Sequence, residues 1–159
     1  MFTTGIFWAL LGVALCALLS GIGSAKGCSL VGQAAAGLLA EDPSKFTKCM
    51  TLELLPGTQG LYGFITSFLT LIRLNLFNGL NTDISLSTGI MIFVACLPMA
   101  LVGFFSAISQ GRCAAAGVGI LAKKPQHMMK GVTLAIIVEI YAILALLVSV
   151  LVILYIPIA

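Results

Sequence analysis

Apolar positions dominate four stretches of the chain, near residues 5–23, 50–72, 88–108 and 131–157, and polar positions gather between them. Each stretch is of the length, ~20 helical residues, that crosses a hydrocarbon core. Lipid offers no partners to backbone N–H and C=O groups, so the pattern predicts four transmembrane α-helices. The breaks between them are Glu41-Asp42-Pro43, Asn78-Gly79 to Asp83, and Lys123-Lys124-Pro125. Nothing through Ala34–Gly37 or Ala114–Gly117 stops a helix, so the first and third helices are expected to run on past the apolar core.

The pattern occurs twice. Ala34-Ala35-Ala36-Gly37 precedes Leu39-Ala40 and Pro43, and Ala114-Ala115-Ala116-Gly117 precedes Leu121-Ala122 and Pro125. Aligning the two prolines sets Ser67 against Ser149, Leu69 against Leu151, and Gly57 against Glu139. The fold class expected is therefore an all-α membrane protein of four helices in two duplicated hairpins, residues 1–80 and 81–159. Only the second hairpin carries the carboxylate. Both hairpins run in the same sense, unlike the inverted repeats of many transporters.

Composition supports a bilayer as solvent. Hydrophobic residues make up 60% of the chain and charged residues 8%, where soluble domains carry about 25% charged residues. Mean hydropathy is +1.18. A net charge of +3 gives no basis for nucleic-acid binding. The N-terminus lacks a basic region before its apolar run, so the first helix is read as a retained span rather than a cleaved leader. Cys16, Cys28, Cys49, Cys96 and Cys113 form no C-x-x-C and read as small apolar side chains. Lys26, Lys45, Lys48, Arg112, Lys123, Lys124 and Lys130 flank the first and third connections, and only Arg73 lies on the other side. The positive-inside rule makes the first and third connections cytoplasmic and puts both termini outside.

The helices differ in girth. The third carries a four-residue ladder of Gly103, Ala107, Gly111, Ala115 and Gly119, and the first a line of Ala17, Gly21, Ala25 and Ser29 with Gly23 and Gly27 beside it. Small residues on one face let membrane helices approach closely. Helices two and four are built of bulky residues. Narrow first and third helices suit the inner layer of a ring of hairpins, and the same asymmetry fits ordinary packing inside one four-helix bundle.

One ionisable residue lies in mid-membrane. Glu139 sits in VTLAIIVEIYAIL, where a charge costs ~2.5–3.5 kcal/mol by insertion scales and is by default a functional candidate. The plainer alternative is a structural carboxylate held by hydrogen bonds. Glu139 is 14 residues after Pro125, Gln110 is 15 before it, and Gln59 is 16 after Pro43. At ~1.5 Å per residue the three lie within about 3 Å of one depth. Leu55, Thr58, Gln59 and Tyr62 share a face of the second helix. Pro56 frees the Leu52 carbonyl and strains its turn, and Gly57 and Gly60 loosen it further. One carboxylate with several neutral oxygens suits a monovalent hard cation, since Mg²⁺ and Ca²⁺ sites normally hold more carboxylates. A proton needs only the carboxyl group and one acceptor, so the surplus of oxygens favours Na⁺ over H⁺. Tyr62 is expected to donate to Glu139. Glu53 reads as interfacial, with ion access as its alternative. His127 reads as exposed, Ser24 and Ser109 as bonded within their own helices, and Tyr141 as a packing residue. No phosphate-cradling loop is present, so the chain is expected to have no catalytic site of its own.

The stretches SGIGSAKG (20–27), LPGTQGLYGF (55–64), SAISQGRCAAAG (106–117), ILAKKP (120–125) and VEIYAIL (138–144) resemble the rotor-ring proteolipids of prokaryotic V-type ATPases over nearly the whole chain. The resemblance implies that Na⁺ is held by the Leu55 backbone carbonyl and the side chains of Thr58, Gln59, Gln110 and Glu139, with Tyr62 bonded to Glu139. It implies Leu55 where helix geometry frees Leu52, and Glu53 departs from the uncharged polar residue expected there. It further implies a homo-oligomeric ring in the plasma membrane, surrounded by lipid and without an organic cofactor. The cytoplasmic loops around Glu41–Lys45 and Lys123–His127 would dock a central stalk. An arginine must come from a stator subunit, as none of this chain is expected at the depth of Glu139. The alternatives are the same rotor coupled to H⁺, and a small self-contained cation-coupled exporter. Four-helix exporters place their glutamate in the first helix, which here has none.

Overall fold

A computed structural model describes residues 4–158. They form α1 (Gly5–Glu41), α2 (Phe46–Leu54), α3 (Thr58–Arg73), α4 (Leu86–Lys123) and α5 (Met128–Tyr155). Short 3₁₀ turns lie at Pro43–Lys45, Leu55–Gly57, Leu76–Asn78 and Pro125–His127, and the described residues include no strand. α1 and α4 run through their alanine-rich ends, as the absence of breakers there requires. Three stretches, Gly5–Glu41, Leu86–Lys123 and Pro125–Tyr155, are long and apolar enough to cross a membrane as unbroken helices. The second apolar run differs from the single span expected, because Pro56 divides it into α2 and α3 at the Leu55–Gly57 turn. Proline lacks the N–H that would continue the ladder and crowds the preceding turn.

The connections are capped from the sequence. Pro43 and Pro125 each open a 3₁₀ turn, where a missing N–H is harmless. The Asp42 side chain accepts bonds from the Ser44 backbone and hydroxyl, and these, with Lys45 beside it, hold its carboxyl below the usual carboxylate range. Ser85 caps α4 by accepting from the Thr88 N–H at 3.1 Å. After α3, Asn75 adopts φ 63°, a left-handed conformation that asparagine tolerates. Arg73 donates to the Ile156 carbonyl at 2.6 Å, tying the end of α3 to the end of α5.

α1 and α4 pack backbone to backbone. A Cβ on Gly23 would stand 2.7 Å from the Phe104 backbone, and one on Gly111 2.5 Å from Gly27 Cα. Gly12 meets Phe93 and Cys96 in the same way. The α1 surface that does this is Gly12, Gly23 and Gly27, not the line Ala17, Gly21, Ala25, Ser29, which is half-buried or exposed. The α4 ladder also drifts: Gly103, Ala107 and Gly111 are buried, Ala115 is half-buried and Gly119 exposed. With 3.6 residues per turn, a four-residue step rotates by about 40°, so no such line stays on one straight contact.

α3 lies against α1, and α5 against α4. Ser67 Oγ donates to the Val13 carbonyl at 2.9 Å, while its counterpart Ser149 Oγ accepts from Met99 N–H at 3.2 Å. That N–H follows Pro98 inside α4, where the helix ladder is interrupted. Two apolar clusters result. One holds Ala9, Cys16, Leu74, Ile92, Met99 and Ile153. The other holds Val31, Leu38, Leu52, Val118, Leu121 and Val132. A polar level separates them.

Candidate ion-binding site

That level is where α3, α4 and α5 meet. Gln59 and Gln110 are both fully buried. The Gln59 amide nitrogen donates to Gln110 Oε1 at 2.5 Å. Gln110 Nε2 in turn donates to Glu139 Oε2 at 3.3 Å, and the Tyr62 hydroxyl donates to Glu139 Oε1 at 2.6 Å. The three residues placed at one depth by counting are thus joined into one chain of hydrogen bonds, with the carboxylate at its end. Glu139 has no cation within ion-pair distance among the described residues.

The break at Pro56 supplies the remaining oxygens. The Thr58 hydroxyl donates to the Leu55 carbonyl at 2.9 Å and lies 3.4 Å from Gln59 Oε1. The Thr58 N–H also turns to the Leu55 carbonyl, as a 3₁₀ turn requires. Leu55, and not the Leu52 of simple helix geometry, is therefore the carbonyl joined to Thr58 and, through it, to Gln59. Every candidate residue is gathered here: Leu55, Thr58, Gln59, Tyr62, Gln110 and Glu139. The donor set is one carboxylate, two amide oxygens, a hydroxyl and a carbonyl, which is hard-cation chemistry. Because the protein stacks these groups without a compensating charge, a cation or proton must neutralise Glu139 wherever lipid covers it.

The geometry corrects four expectations. Ser24 does not bond within its own helix: its hydroxyl accepts the Gly60 N–H at 2.7 Å. By accepting that N–H, Ser24 of α1 holds the first turn of α3, which presents Thr58 and Gln59. Tyr141 is 64% exposed and packs little within the chain. His127 is half-buried rather than exposed. Arg112 lies only two residues from Gln110, so an arginine does occur at this depth. Two residues turn a helix by about 200°, and Arg112 instead lines a groove between α1 and α4 with Lys26 and Ser29, away from Glu139. Ser109 does bond its own helix, donating to the Phe105 carbonyl at 2.9 Å. The five cysteines are free thiols, Cys16, Cys49 and Cys96 buried and Cys28 and Cys113 half-buried.

The family model for the C subunit of ATP synthase matches residues 11–70 and, a second time, residues 93–152. The two matches begin at residues 11 and 93, the same spacing that separates Pro43 from Pro125. The chain is similar to the V-type sodium ATPase subunit K of Enterococcus hirae, at 48% identity over 150 residues, spanning 94% of this chain and 92% of that relative. It is also similar to the A-type ATP synthase subunit K of Methanocaldococcus jannaschii, at 36% identity over 157 residues, spanning 98% of this chain and 67% of the relative.

Proposed function

The chain belongs to the ATP synthase C-subunit family, and we propose that it is a rotor-ring subunit of a V-type ATPase that carries Na⁺ on Glu139. The observation that carries this reading is the hydrogen-bonded group of Glu139, Tyr62, Gln110 and Gln59 beside the Thr58 hydroxyl and Leu55 carbonyl. A proton carrier needs only a carboxyl group with one acceptor. Here Tyr62 and Gln110 bond the carboxylate directly, with Gln59, the Thr58 hydroxyl and the Leu55 carbonyl linked on behind Gln110, and the similar Enterococcus protein is named for sodium.

In this reading all four apolar runs cross the plasma membrane, α2 and α3 together making the second span. The two hairpins, residues 1–80 and 81–159, stand side by side in the ring. The basic residues put both termini outside and the connections at Pro43 and Pro125 in the cytoplasm, where they dock the central stalk. ATP is hydrolysed in a separate sector, and this subunit is not catalytic. Na⁺ enters among the oxygens of Leu55, Thr58, Gln59, Gln110 and Glu139. The Thr58 proton turns away from the Leu55 carbonyl as the ion takes its place. Tyr62 and Gln110 keep the carboxylate aimed inward. Neutralised, the site can pass lipid. At the stator an arginine from another subunit substitutes as counter-charge and releases the ion. Arg112 is on the wrong side of α4 to do so.

A carbodiimide labelling assay tests the ion. Labelling of Glu139 is expected to fall as Na⁺ rises at constant pH. Labelling that follows pH alone, with no Na⁺ protection, would assign the site to protons. Native mass of the detergent-extracted protein separates a ring from a dimeric exporter.

A further inference from the structure

The internal repeat leaves one helix face covered and its counterpart bare. Aligning Pro43 with Pro125 sets Gly21, Ala25 and Ser29 of α1 against Gly103, Ala107 and Gly111 of α4. The α4 residues are buried, whereas Ala25 and Ser29 are exposed and nothing lies within 4 Å of a Cβ on Gly21. The residues that do the covering show the converse. Gly12, Gly23 and Gly27 meet α4, while their counterparts Val94, Phe105 and Ser109 are exposed. Each half of the chain carries both surfaces of one contact, and only one such contact is made internally. The two unused surfaces lie on opposite sides, so a second copy placed head to tail completes both.

The same alignment finds charges at that seam. Glu53 is half-buried on the bare side, its carboxylate laid over Gly32, where a Cβ would stand 2.9 Å from Oε1. Among the described residues it has neither a hydrogen bond nor an ion pair; the one salt bridge joins Lys45 to Asp42. The counterpart of Glu53 is Ala135, fully buried in the cluster that contains Leu52. The counterpart of Leu52 is Leu134, which is exposed. One repeat further on, Leu134 of a second copy therefore comes beside Glu53. Lys130, exposed, stands one turn before Leu134 on the same face of α5. The depths agree. Gly27 meets Gly111, and Gly117 meets Gly131, which puts Gly131 and Gly32 within about one residue rise, ~1.5 Å. Lys130 adjoins Gly131.

We infer that Glu53 of each copy forms an ion pair with Lys130 of the next, on the cytoplasmic side of the ion site. The inference rests on the ring reading above and adds which faces meet and which charges lock them. It also gives Glu53 a role apart from ion access, since its carboxylate faces α1 and not the group around Glu139.

The test uses the whole ring extracted in detergent, read by native mass after a fixed heat or detergent challenge. Lys130→Glu is expected to lower the surviving ring fraction roughly tenfold, because like charges then face each other. Adding Glu53→Lys to the same chain is expected to restore it. As a second measure, Glu53→Cys with Lys130→Cys is expected to give chain-to-chain disulfide multimers on oxidation that neither single substitution gives. A ring that assembles but is indifferent to the reversals and gives no multimers specific to the pair overturns the pairing and leaves the rotor reading in place. Absence of any ring from the unsubstituted protein overturns both.

Discussion

The two hairpins are built to one plan and do different work. Each has a narrow helix with a ladder of small residues, a proline-led 3₁₀ turn, and a bulky helix whose serine, Ser67 or Ser149, bonds to the narrow one. At equivalent positions the first has Gly57 and the second Glu139. The first has instead broken its bulky helix at Pro56, with a 3₁₀ turn in which the Leu55 carbonyl accepts from both the Thr58 N–H and hydroxyl. The second hairpin thus contributes the carboxylate and the Gln110 amide, and the first the Gln59 amide, the Thr58 hydroxyl and the Leu55 carbonyl. If the group binds an ion as proposed, a site divided between two duplicated halves needs only one of them to keep the carboxylate, and the other is free to become part of its lining.

Substitutions break that division of labour to different degrees. Glu139→Gln is expected to abolish ion-coupled turnover, as measured in membrane vesicles, while native mass still shows the assembled protein. Moving the charge sharpens the contrast. Gly57→Glu in the Glu139→Gln background puts a carboxylate at the matching place, but without Tyr62 and Gln110 as partners. It is expected to destabilise the chain by roughly 2.5–3.5 kcal/mol and to give no Na⁺-protected carbodiimide labelling.

Gly111→Leu acts on the packing that holds the hairpins together. Its Cβ meets Gly27 Cα at 2.5 Å, whereas Gly119 faces open space. Thermal unfolding is expected to show a loss of about 3 kcal/mol or more for Gly111→Leu and little change for Gly119→Leu. Tyr62→Phe removes one donor to a carboxylate, worth about 1.5–3 kcal/mol. Na⁺ protection should then need roughly 10–100-fold more ion. Ser24→Ala removes the hydroxyl that accepts from the Gly60 N–H, at about 1 kcal/mol, and should shift Na⁺ protection less than tenfold.

Much of this was legible in the sequence because depth is a one-dimensional quantity. Counting from Pro43 and Pro125 placed Gln59, Gln110 and Glu139 together, and the structure joins them directly. The turn at Pro56 was legible for the same reason: proline acts on its own helix. Azimuth was not. The ladder Ala17–Gly21–Ala25–Ser29 has the spacing of a contact face, yet within the chain Gly23 and Gly27 beside it meet α4. Ser24 found its partner on α3, and Arg112, at the right depth, points into another groove. Which side of a helix meets which neighbour depends on the arrangement of all five helices, and periodicity in one of them does not encode it.

The contact between Gly27 and Gly111 has a mechanical consequence. Where two helices meet through side chains, a lateral load can be absorbed by rotamer changes. Where Cα meets Cα, no such compliance exists, and the main chains must move as one body. α1 and α4, 37 and 38 residues long, are joined in this way at several levels from Gly5 to Gly27. Torque applied at one end of such a strut reaches the other with little twist lost between, so that an angular step taken at the Pro43 and Pro125 turns becomes an equal step at the depth of Glu139.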